Sequence, residues 1–551
     1  MTTSFVRQLG SESGVQLNPL RDNSEIPTAT NDDQIFAIAM RATRGRIDKP
    51  FKVDRGNVFK KLGKGEQIRV EALNEAWVHV VEALNNGAYE AVVQRLVTSG
   101  ECEPIIYWAL ATAPNGYGIV NFSVESDIVE FLNYLFAVKH LECFNDGIVL
   151  EYRADEKKVG GVAVANDKIT LRIRDNDGVL LYEFYGSLDP DAKDDYGNSA
   201  YLPDVALSQT DAVLIEVGVV DGNAAVSPGT PAYGYDANGK EKWAKSDVLI
   251  CFEEIDTGYT TADYATARQK LQVTPFNYAY ISSGGTQSPG LLSQLAQLAF
   301  DTNRQLRFDV PGSLPPEAAI AFVEQLNMGA SETAHLLHAF WAPLKSDDPT
   351  GINPKGYIGA ATLNIAYACA RNAQTNAKGF APKNYVVAGR EWPIRRVRVT
   401  QTYSPSNQEL NALARAKINP VLFETYTGGG RYVFRDSLTC ALVESSLKKL
   451  ISVADMSTSI DEAVTRFGKD VLQLPMQIAV KRMKDFLGDL FSDAETAGWL
   501  VPSNDPSMAG AAYKFLVQPN EVRPYDAMDV AYWLRYDGTT RQIFVTQSLT
   551  R

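Results

Sequence analysis

Histidine and cysteine are scarce in this sequence, with four and five copies respectively in 551 residues. The cysteines are scattered and no C-x-x-C pair occurs, so we expect reduced thiols and no zinc site. Four histidines also leave little material for metal or acid–base clusters. The scarcity argues against metal-dependent chemistry.

Long apolar runs and an excess of basic residues are missing too. No run of about 18 apolar residues occurs, so no membrane-spanning helix is expected. The first residues, MTTSFVRQLGSESG, lack the basic-then-apolar pattern of a secretion signal, so we expect the protein to be made and kept in a cytoplasm. The formal net charge of −13 argues against non-specific DNA binding but leaves local basic patches open.

The sequence contains only partial matches to known catalytic and ligand-binding motifs. Residues 234–240, GYDANGK, have the spacing of a phosphate loop, but Glu241 stands where Ser or Thr would hold magnesium, so a hairpin turn is predicted. The aspartates of 189–195 do not follow a calcium-loop pattern and predict a solvated acidic loop. His335 and His338 lack H-E-x-x-H and are expected at the edge of the core. No G-x-S-x-G occurs, so no catalytic residue, metal or cofactor is predicted.

Apolar periodicity divides the chain into units that differ in secondary structure. Residues 34–100 read as strand, helix and strand, with the strands at 35–40 and 88–97. Residues 101–245 read as a β-rich insertion facing solvent. Residues 246–395 alternate strands and helices in a doubly wound α/β pattern. The predicted strands of the last two units are 148–153, 169–173, 180–185, 213–220, 248–252, 277–281 and 306–310, and the predicted helices are 262–271, 291–303 and 316–326.

The next stretch, 407–440, predicts a helix, a strand, a glycine turn at 428–430 and a second strand at the edge of a packed α/β core. Ser459 and Glu462 have the spacing of a capping box, and Pro475 is expected to begin a further helix. That helix carries Lys481, Arg482 and Lys484. These three residues are either a solvated face of a core helix or a docking face for an acidic partner.

Both chain ends have short apolar segments without an obvious packing partner. Residues 1–30 are polar apart from Phe5-Val6 and 15–17, which predicts either a disordered tail or an arm that becomes ordered on assembly. Residues 529–546 alternate polar and apolar side chains around Asp537-Gly538, which predicts a β-hairpin. A lone hairpin is marginally stable in water and needs strands from its own core or from another copy.

Four segments together resemble contractile phage tail sheath proteins. The step L-x-x-A-x-I-N-P-V, the glycine turn and the R-D-S-L-T that follow one another in 407–440 are similar to the C-terminal core of that family. Residues 33–63, 85–98 and 339–389 resemble the family's opening strand, its NGG-containing strand and its segment with aromatic-Pro, Asp-Pro and Ala-Pro steps. The shared order and spacing of the segments carry the resemblance.

The resemblance implies a multidomain fold of α/β plus α+β type, with a sheath core, a β-rich insertion and extended terminal arms. The α/β part of the core is subtilisin-like in that family, without protease chemistry. The implied units are a 1–33 N-terminal arm, a 34–100 first part of the core, a 101–245 outward-facing insertion, a 246–395 subtilisin-like domain, a 396–519 C-terminal core domain and a 520–551 C-terminal arm with a hairpin.

The implied function is a non-enzymatic, structural one: hexameric rings of this chain stack around a tail tube and contract to drive it through a host envelope for genome ejection. The implied partners are further copies of the chain, the tube, the baseplate and the tail terminator, with no cofactor, no direct nucleic acid and no membrane insertion. The implied location is the phage tail of a virion, assembled in the host cytoplasm. A sheath of a secretion or bacteriocin-like device, a baseplate or adhesion protein, and an α/β hydrolase using 246–395 are the alternatives.

The resemblance also assigns residues. Neighbouring subunits would weave their arms into one sheet, hinged near 31–34 and near 520–525, where Pro524 lies. The basic helix face would meet the tube through Lys481, Arg482 and Lys484. The strand-exchanging arm residues would be Phe5, Val6, Val15, Leu17, Tyr532, Leu534, Ile543 and Val545.

Overall fold

The computed structural model describes residues 31–65, 76–98, 104–112, 119–123, 134–218, 224–254 and 258–547. The arm residues predicted near the N-terminus, Phe5, Val6, Val15 and Leu17, lie outside these residues. The described chain is a mixed α/β structure with several separate sheets, which confirms the predicted class of fold.

The helices and strands follow one another in three groups. The first group is β1 (Ile35–Met40), β2 (Phe51–Asp54), α1 (Val58–Leu62), α2 (Ala76–Asn86) and β3 (Glu90–Arg95). The second group is β4 (Tyr107–Thr112), β5 (Ile119–Ser123), β6 (Tyr134–His140), β7 (Ile148–Ala154), β8 (Lys157–Val159), β9 (Val162–Val164), β10 (Lys168–Asp175), β11 (Leu180–Ser187), α3 (Leu202–Gln209), β12 (Val213–Val217) and β13 (Ala244–Lys245). The third group is α4 (Thr261–Gln272), β14 (Tyr280–Ser282), α5 (Pro289–Thr302), β15 (Gln305–Val310), α6 (Pro316–Leu326), β16 (Leu337–Trp341), β17 (Leu344–Ser346), β18 (Gly356–Tyr357), α7 (Ala361–Asn372), β19 (Thr400–Gln401), α8 (Asn407–Arg415), β20 (Ile418–Tyr426), β21 (Gly429–Phe434), α9 (Ile451–Val471), α10 (Met476–Thr496), β22 (Tyr513–Pro519) and β23 (Met528–Leu534).

An eight-stranded sheet forms the centre of the molecule, in the order β2-β3-β1-β14-β15-β16-β20-β21. The six inner strands are parallel, and the edge strands β2 and β21 are antiparallel to their neighbours. Strand β1 reads IFAIAM because helices cover both of its faces, and all six residues are buried. Helices α2 and α7 pack on one face, and α4, α5, α6 and α8 pack on the other. The sheet thus takes strands from the predicted units 34–100, 246–395 and 396–519.

The predicted strand, glycine turn and strand within 407–440 are confirmed as β20 and β21. Gly428 and Gly429 have φ angles of 100° and 123°, a region that favours glycine. The predicted strand at 248–252 is wrong, because Ile250 forms only an isolated bridge to Ile148 in the insertion. Val248 is 59 % exposed, so this apolar run does not enter the central sheet.

The predicted β-rich character of the insertion is confirmed by two four-stranded antiparallel sheets, ordered β11-β10-β7-β13 and β12-β6-β4-β5. Their inner faces share one apolar core that includes Phe136, Tyr152 and Phe184. The phosphate-loop-like stretch is a turn, as predicted, with a bridge between Tyr235 and Glu241.

The C-terminal unit is a pair of long helices, α9 and α10, covered by the two-stranded sheet β22-β23. Helix α10 begins directly after Pro475, as predicted. The predicted capping box is wrong: Ser459 and Glu462 lie inside α9, which begins after Leu450. Buried side chains such as Met456 and Ile460 continue through this point, so packing extends the helix across it.

The predicted hairpin around Asp537-Gly538 is also wrong. Strand β23 pairs with the preceding β22, with Tyr513 opposite Leu534 and Pro519 opposite Met528. Alternate residues of β22 are apolar and fit the helix pair, so 513–519 competes better for β23 than the later segment does. Residues 520–525, which were predicted as a hinge, lie in the turn of this hairpin, between Pro519 and Met528.

Candidate assembly interface

One face of the β22-β23 hairpin packs against the chain's own helices. The ring of Phe491 in α10 lies 5.6 Å from that of Tyr513 and 5.5 Å from that of Tyr532, measured between centroids. The hydroxyl of Tyr532 donates a hydrogen bond of 2.5 Å to Asp461 of α9. Burial, followed by this contact with Asp461, raises the pKa of Tyr532. Tyr532 and Leu534, both predicted to exchange between subunits, therefore contribute to the core of their own subunit.

The hydroxyl of Tyr532 gives a direct test of this packing. Tyr532→Phe keeps the ring and removes the hydrogen bond to the Asp461 carboxylate, so we expect a loss of about 1–2 kcal/mol in unfolding free energy. Urea unfolding followed by circular dichroism measures the loss. Tyr525→Phe is the matched control because Tyr525 is 95 % exposed. Equal stability of the two variants would contradict the packing role of Tyr532.

The other face of the hairpin is uncovered in the described structure. Leu516 and Trp533 are 47 % and 48 % exposed there. No further described strand pairs with β22 or β23, so the two-stranded sheet has open edges along both strands. An open edge presents unpaired backbone N–H and C=O groups that can pair with another chain. The hairpin is therefore anchored on one face and free to accept a partner on its other face and at its edges.

The last described residues run past the hairpin as an exposed apolar segment. Ile543, Phe544 and Val545 are 79 %, 89 % and 87 % exposed. Arg541 fixes the chain just before them, with its Nε 2.7 Å from a carboxylate oxygen of Asp436. Burying each of these side chains would contribute about 1.5–3 kcal/mol. Ile543 and Val545, the other two arm residues predicted near the C-terminus, thus lie outside the subunit core, after the contact of Arg541 with Asp436.

The root of the N-terminal arm is held by charged side chains. Asp33 lies 2.9 Å from the Nζ of Lys383, and Asp32 lies 2.8 Å from a guanidinium nitrogen of Arg466 in α9. Asn372 of α7 donates a hydrogen bond of 2.9 Å to the backbone oxygen of Asp33. These contacts fix 31–34, the other predicted hinge, to the core and to the C-terminal helices.

The predicted basic residues Lys481, Arg482 and Lys484 are exposed on α10. They form no ion pair with any residue in the described ranges. A groove of about 430 Å³ lies beside them, between α10 and the end of β22, and is lined in part by Met476 and Val480. Lys481, Lys484 and Asp485 also line it, so the groove combines apolar side chains with charges of both signs.

Asp309 lies near the carboxyl end of β15, at the edge of a parallel sheet where α/β enzymes place catalytic groups, and it makes a structural contact there. A carboxylate oxygen of Asp309 accepts hydrogen bonds of 2.7 Å and 2.8 Å from the backbone N–H groups of Ala360 and Ala361 at the start of α7. His338 is fully buried away from this end, with its Nε2 3.1 Å from the backbone oxygen of His335. The described residues contain no cluster of three or more His, Cys, Asp or Glu suited to a metal. None of the described helices combines the length and hydropathy of a membrane-spanning segment.

A buried charge network is the feature that sequence reasoning missed. Asp455 of α9 lies 3.2 Å from Arg307 of β15 and 2.9 Å from Arg371 of α7. These contacts connect the C-terminal helices to the central sheet. The available signal was a charge inside an apolar pattern, as in LRFDV and ISVADM, but such a pattern does not reveal the partner.

The sequence matches no protein-family model, and no curated protein matches it. Its structural neighbours are sheath tail proteins and sheaths of contractile systems. The sheath tail protein of Desulfitobacterium hafniense has a TM-score of 0.46 at 13 % identity, over 91 % of this chain and 96 % of that chain. The sheath tail protein of Listeria innocua has a TM-score of 0.45 at 13 % identity, over 90 % and 94 %. The contracted sheath complex of an extracellular contractile injection system has a TM-score of 0.40 at 13 % identity, over 52 % and 74 %.

Proposed function

We propose that this chain is the structural subunit of a contractile tail sheath. Copies would stack as hexameric rings around a tail tube and contract to drive the tube through a host envelope for genome ejection. The observation that carries this proposal is the terminal hairpin, which is packed on one face and open at its edges. The sequence resemblance of four ordered segments to sheath proteins supports the same function.

Strand exchange would connect the subunits. An extended segment of 30 residues spans up to about 100 Å, which is enough for residues 1–30 to reach a neighbour. Their apolar pairs, Phe5-Val6 and Val15 with Leu17, would add to an open hairpin edge, where backbone hydrogen bonds supply affinity and side-chain pockets supply register. Ile543 and Val545 would be buried in the same joint sheet, which removes their exposure.

The remaining surfaces fit the roles of a sheath subunit. The exposed cations Lys481, Arg482 and Lys484, with the adjacent groove, would face the tube. The parallel core would correspond to the subtilisin-like domain of sheath proteins, used as a scaffold. Baseplate and tail terminator would bind the two ends of the stack. Contraction would be a change between two packings of rigid cores joined by arms, with the hinges placed outside Asp32 and beyond Arg541.

Electron microscopy of the purified full-length chain tests the proposal. Stacked rings or tubes are expected from the full chain, and isolated subunits are expected from chains lacking either 1–30 or 541–551. A cut after Pro519 would remove β23 from the helices, so loss of assembly in that chain could reflect loss of folding. Full-length chains that remain monomeric over a wide range of concentration would overturn the proposal.

Two double variants distinguish strand exchange from non-specific association through exposed apolar side chains. Ile543→Ser with Val545→Ser is expected to reduce assembly as strongly as the truncation at 541. Val159→Ser with Val162→Ser is the control, because these valines are 63 % and 67 % exposed in the insertion. We expect normal rings or tubes from the control. A control pair that abolished assembly equally would contradict the assigned role of the terminal segment.

A further inference from the structure

The insertion is attached to the core by ion pairs with residues 41–64, the segment that follows β1. The guanidinium of Arg44 lies 2.9 Å from the carboxylate of Asp146 and 3.5 Å from that of Asp175. The further ion pairs are those of Arg46 and Lys49 with Asp211, of Lys61 with Glu142 and of Lys64 with Asp177. In all of these pairs the cation belongs to 41–64 and the carboxylate belongs to the insertion. We call these ion pairs the charged contact.

The apolar cores on the two sides of the charged contact are separate. Buried apolar side chains of the core pack on the two faces of the central sheet, and those of the insertion pack between its own sheets. No apolar cluster of the described residues has members on both sides. Two aromatic rings of the insertion contact cations of 41–64: Phe144 lies 4.2 Å from the guanidinium of Arg44, and Tyr182 lies 5.5 Å from the Nζ of Lys60. Charge therefore dominates the attachment of the insertion.

Backbone hydrogen bonds cross at the same place and report on whether it is closed. The N–H of Gly45 donates to the backbone oxygen of Glu142 at 2.7 Å, and the N–H of Asn145 donates to that of Thr43 at 2.9 Å. Arg95 of β3 adds a hydrogen bond of 2.7 Å to the side chain of Asn145. The amide protons of Gly45 and Asn145 are protected from exchange with solvent while these bonds hold and lose that protection when the contact opens.

We propose that the charged contact opens as one unit while the central sheet and the insertion both stay folded, so that the insertion can change its orientation on the core. The attraction within a buried ion pair is roughly balanced by the hydration that its two groups regain on separation. An apolar contact has no such compensation, because its opening exposes apolar surface to water. Predominantly polar contacts between the parts of one chain accordingly permit relative motion. The inference concerns the single subunit and does not rest on the proposed self-assembly.

Hydrogen exchange of the full-length chain, resolved to single amides by mass spectrometry, tests the opening. The amides of Gly45 and Asn145 should be less protected than those of β1, and their opening should depend less on urea, because it exposes little apolar surface. Raising the salt from about 0.05 to 0.5 M should lower their protection further, since salt screens ion pairs, and should leave β1 unchanged. One common protection factor and one common urea dependence for both sets of amides would overturn the proposal.

Arg44→Met removes the central cation and keeps most of its apolar side chain. We expect the protection of Gly45 and Asn145 to fall at least about tenfold, because buried carboxylates then lose their counter-charge. The amides of β1 in the core and of β7 in the insertion should keep their protection. Arg153→Met is the matched control, since Arg153 also forms two ion pairs, both within the insertion. The control should leave the amides of Gly45 and Asn145 as protected as in wild type.

A second variant changes only exposed side chains, so it keeps the test decisive if Arg44→Met does not fold. Lys49→Glu with Lys64→Glu reverses two cations whose side chains are 50 % and 70 % exposed, and protection at the charged contact should fall about threefold. Lys193→Glu with Lys240→Glu, in exposed loops of the insertion, is the charge-matched control and should have no effect there. Unchanged protection in the Lys49 and Lys64 variant, or an equal loss in β1 and β7, overturns the inference. A chain that forms no rings or tubes overturns only the proposed function.

Discussion

Replacing Asp455 with alanine is expected to lower the unfolding free energy by about 3–5 kcal/mol. Asp455 is 1 % exposed and lies between Arg307 and Arg371, which are 0 % and 2 % exposed. The alanine variant would leave two buried guanidinium groups facing each other without a counter-charge, and water does not reach them. Because these contacts connect α9 to β15 and α7, the C-terminal helices should separate from the sheet at lower denaturant concentration.

Urea unfolding of wild type and Asp455→Ala measures the loss. Asp470→Asn is the matched control, since Asp470 lies on the same helix but is exposed, and it should change stability by less than about 0.5 kcal/mol. A loss below about 1 kcal/mol in Asp455→Ala would contradict the assigned role of the network.

The network also predicts a response to strong acid. Burial acts to raise the pKa of Asp455, but attraction to Arg371 and Arg307 outweighs it and lowers the pKa to about 2. The pKa of an aspartate in the unfolded chain is about 3.9. The stabilisation is therefore complete above about pH 4 and is lost as the pH falls toward 2.

Local sequence patterns predicted much of the fold, because each central strand and helix carries its own signal in its own residues. Strand β1 is a short apolar run, Pro475 directly precedes α10, and the glycines after β20 permit the reversal into β21. In each case a single segment carries the whole signal. The same holds for the insertion, whose strands alternate clearly.

The errors all involve a choice between distant partners. Asp537-Gly538 is a typical turn dipeptide, but the structure has no turn there, and β23 instead pairs with β22 over Phe491. Ser459 and Glu462 have cap spacing, yet packing carries α9 through them. Such competitions are decided by tertiary contacts, which the order of residues along the chain does not display.

The sequence predicted only part of the candidate interface, because the rest depends on contacts between residues distant in sequence. Exposed apolar residues near the C-terminus and the cations of α10 are visible in the sequence. The division of the arm at Arg541, with Tyr532 inside the core and Ile543 outside it, depends on the pairing of Arg541 with Asp436, 105 residues away in sequence. Sequence periodicity is a local signal and cannot predict a contact between residues so far apart in sequence.

His338 is expected to make the protein sensitive to mild acid. Its Nε2 faces the backbone oxygen of His335, which can only accept, so Nε2 carries the proton of the neutral ring. Nδ1 is buried with no partner among the described residues, and a second proton there would have no acceptor. Burial, followed by repulsion from Arg307, lowers the pKa of His338 to about 3.

The direction of the stability change with pH follows from comparison with the unfolded chain, in which a histidine has a pKa of about 6.5. Between pH 6.5 and 3 the unfolded chain binds a proton that the folded chain rejects, so stability falls by up to about 1.4 kcal/mol for each pH unit. From pH 6.5 to 5 the expected loss is roughly 2 kcal/mol. Urea midpoints measured across this window should show the slope in wild type.

His338→Gln isolates the contribution of this one group. Glutamine can still donate to the backbone oxygen of His335 but does not titrate, so the slope between pH 6.5 and 5 should become shallower by about the same 2 kcal/mol. Asp455 does not interfere, because its own contribution is lost only below about pH 4. An unchanged slope in the variant would show that His338 is protonated in the folded state, and the buried, neutral ring assigned to the centre of the sheet would be wrong.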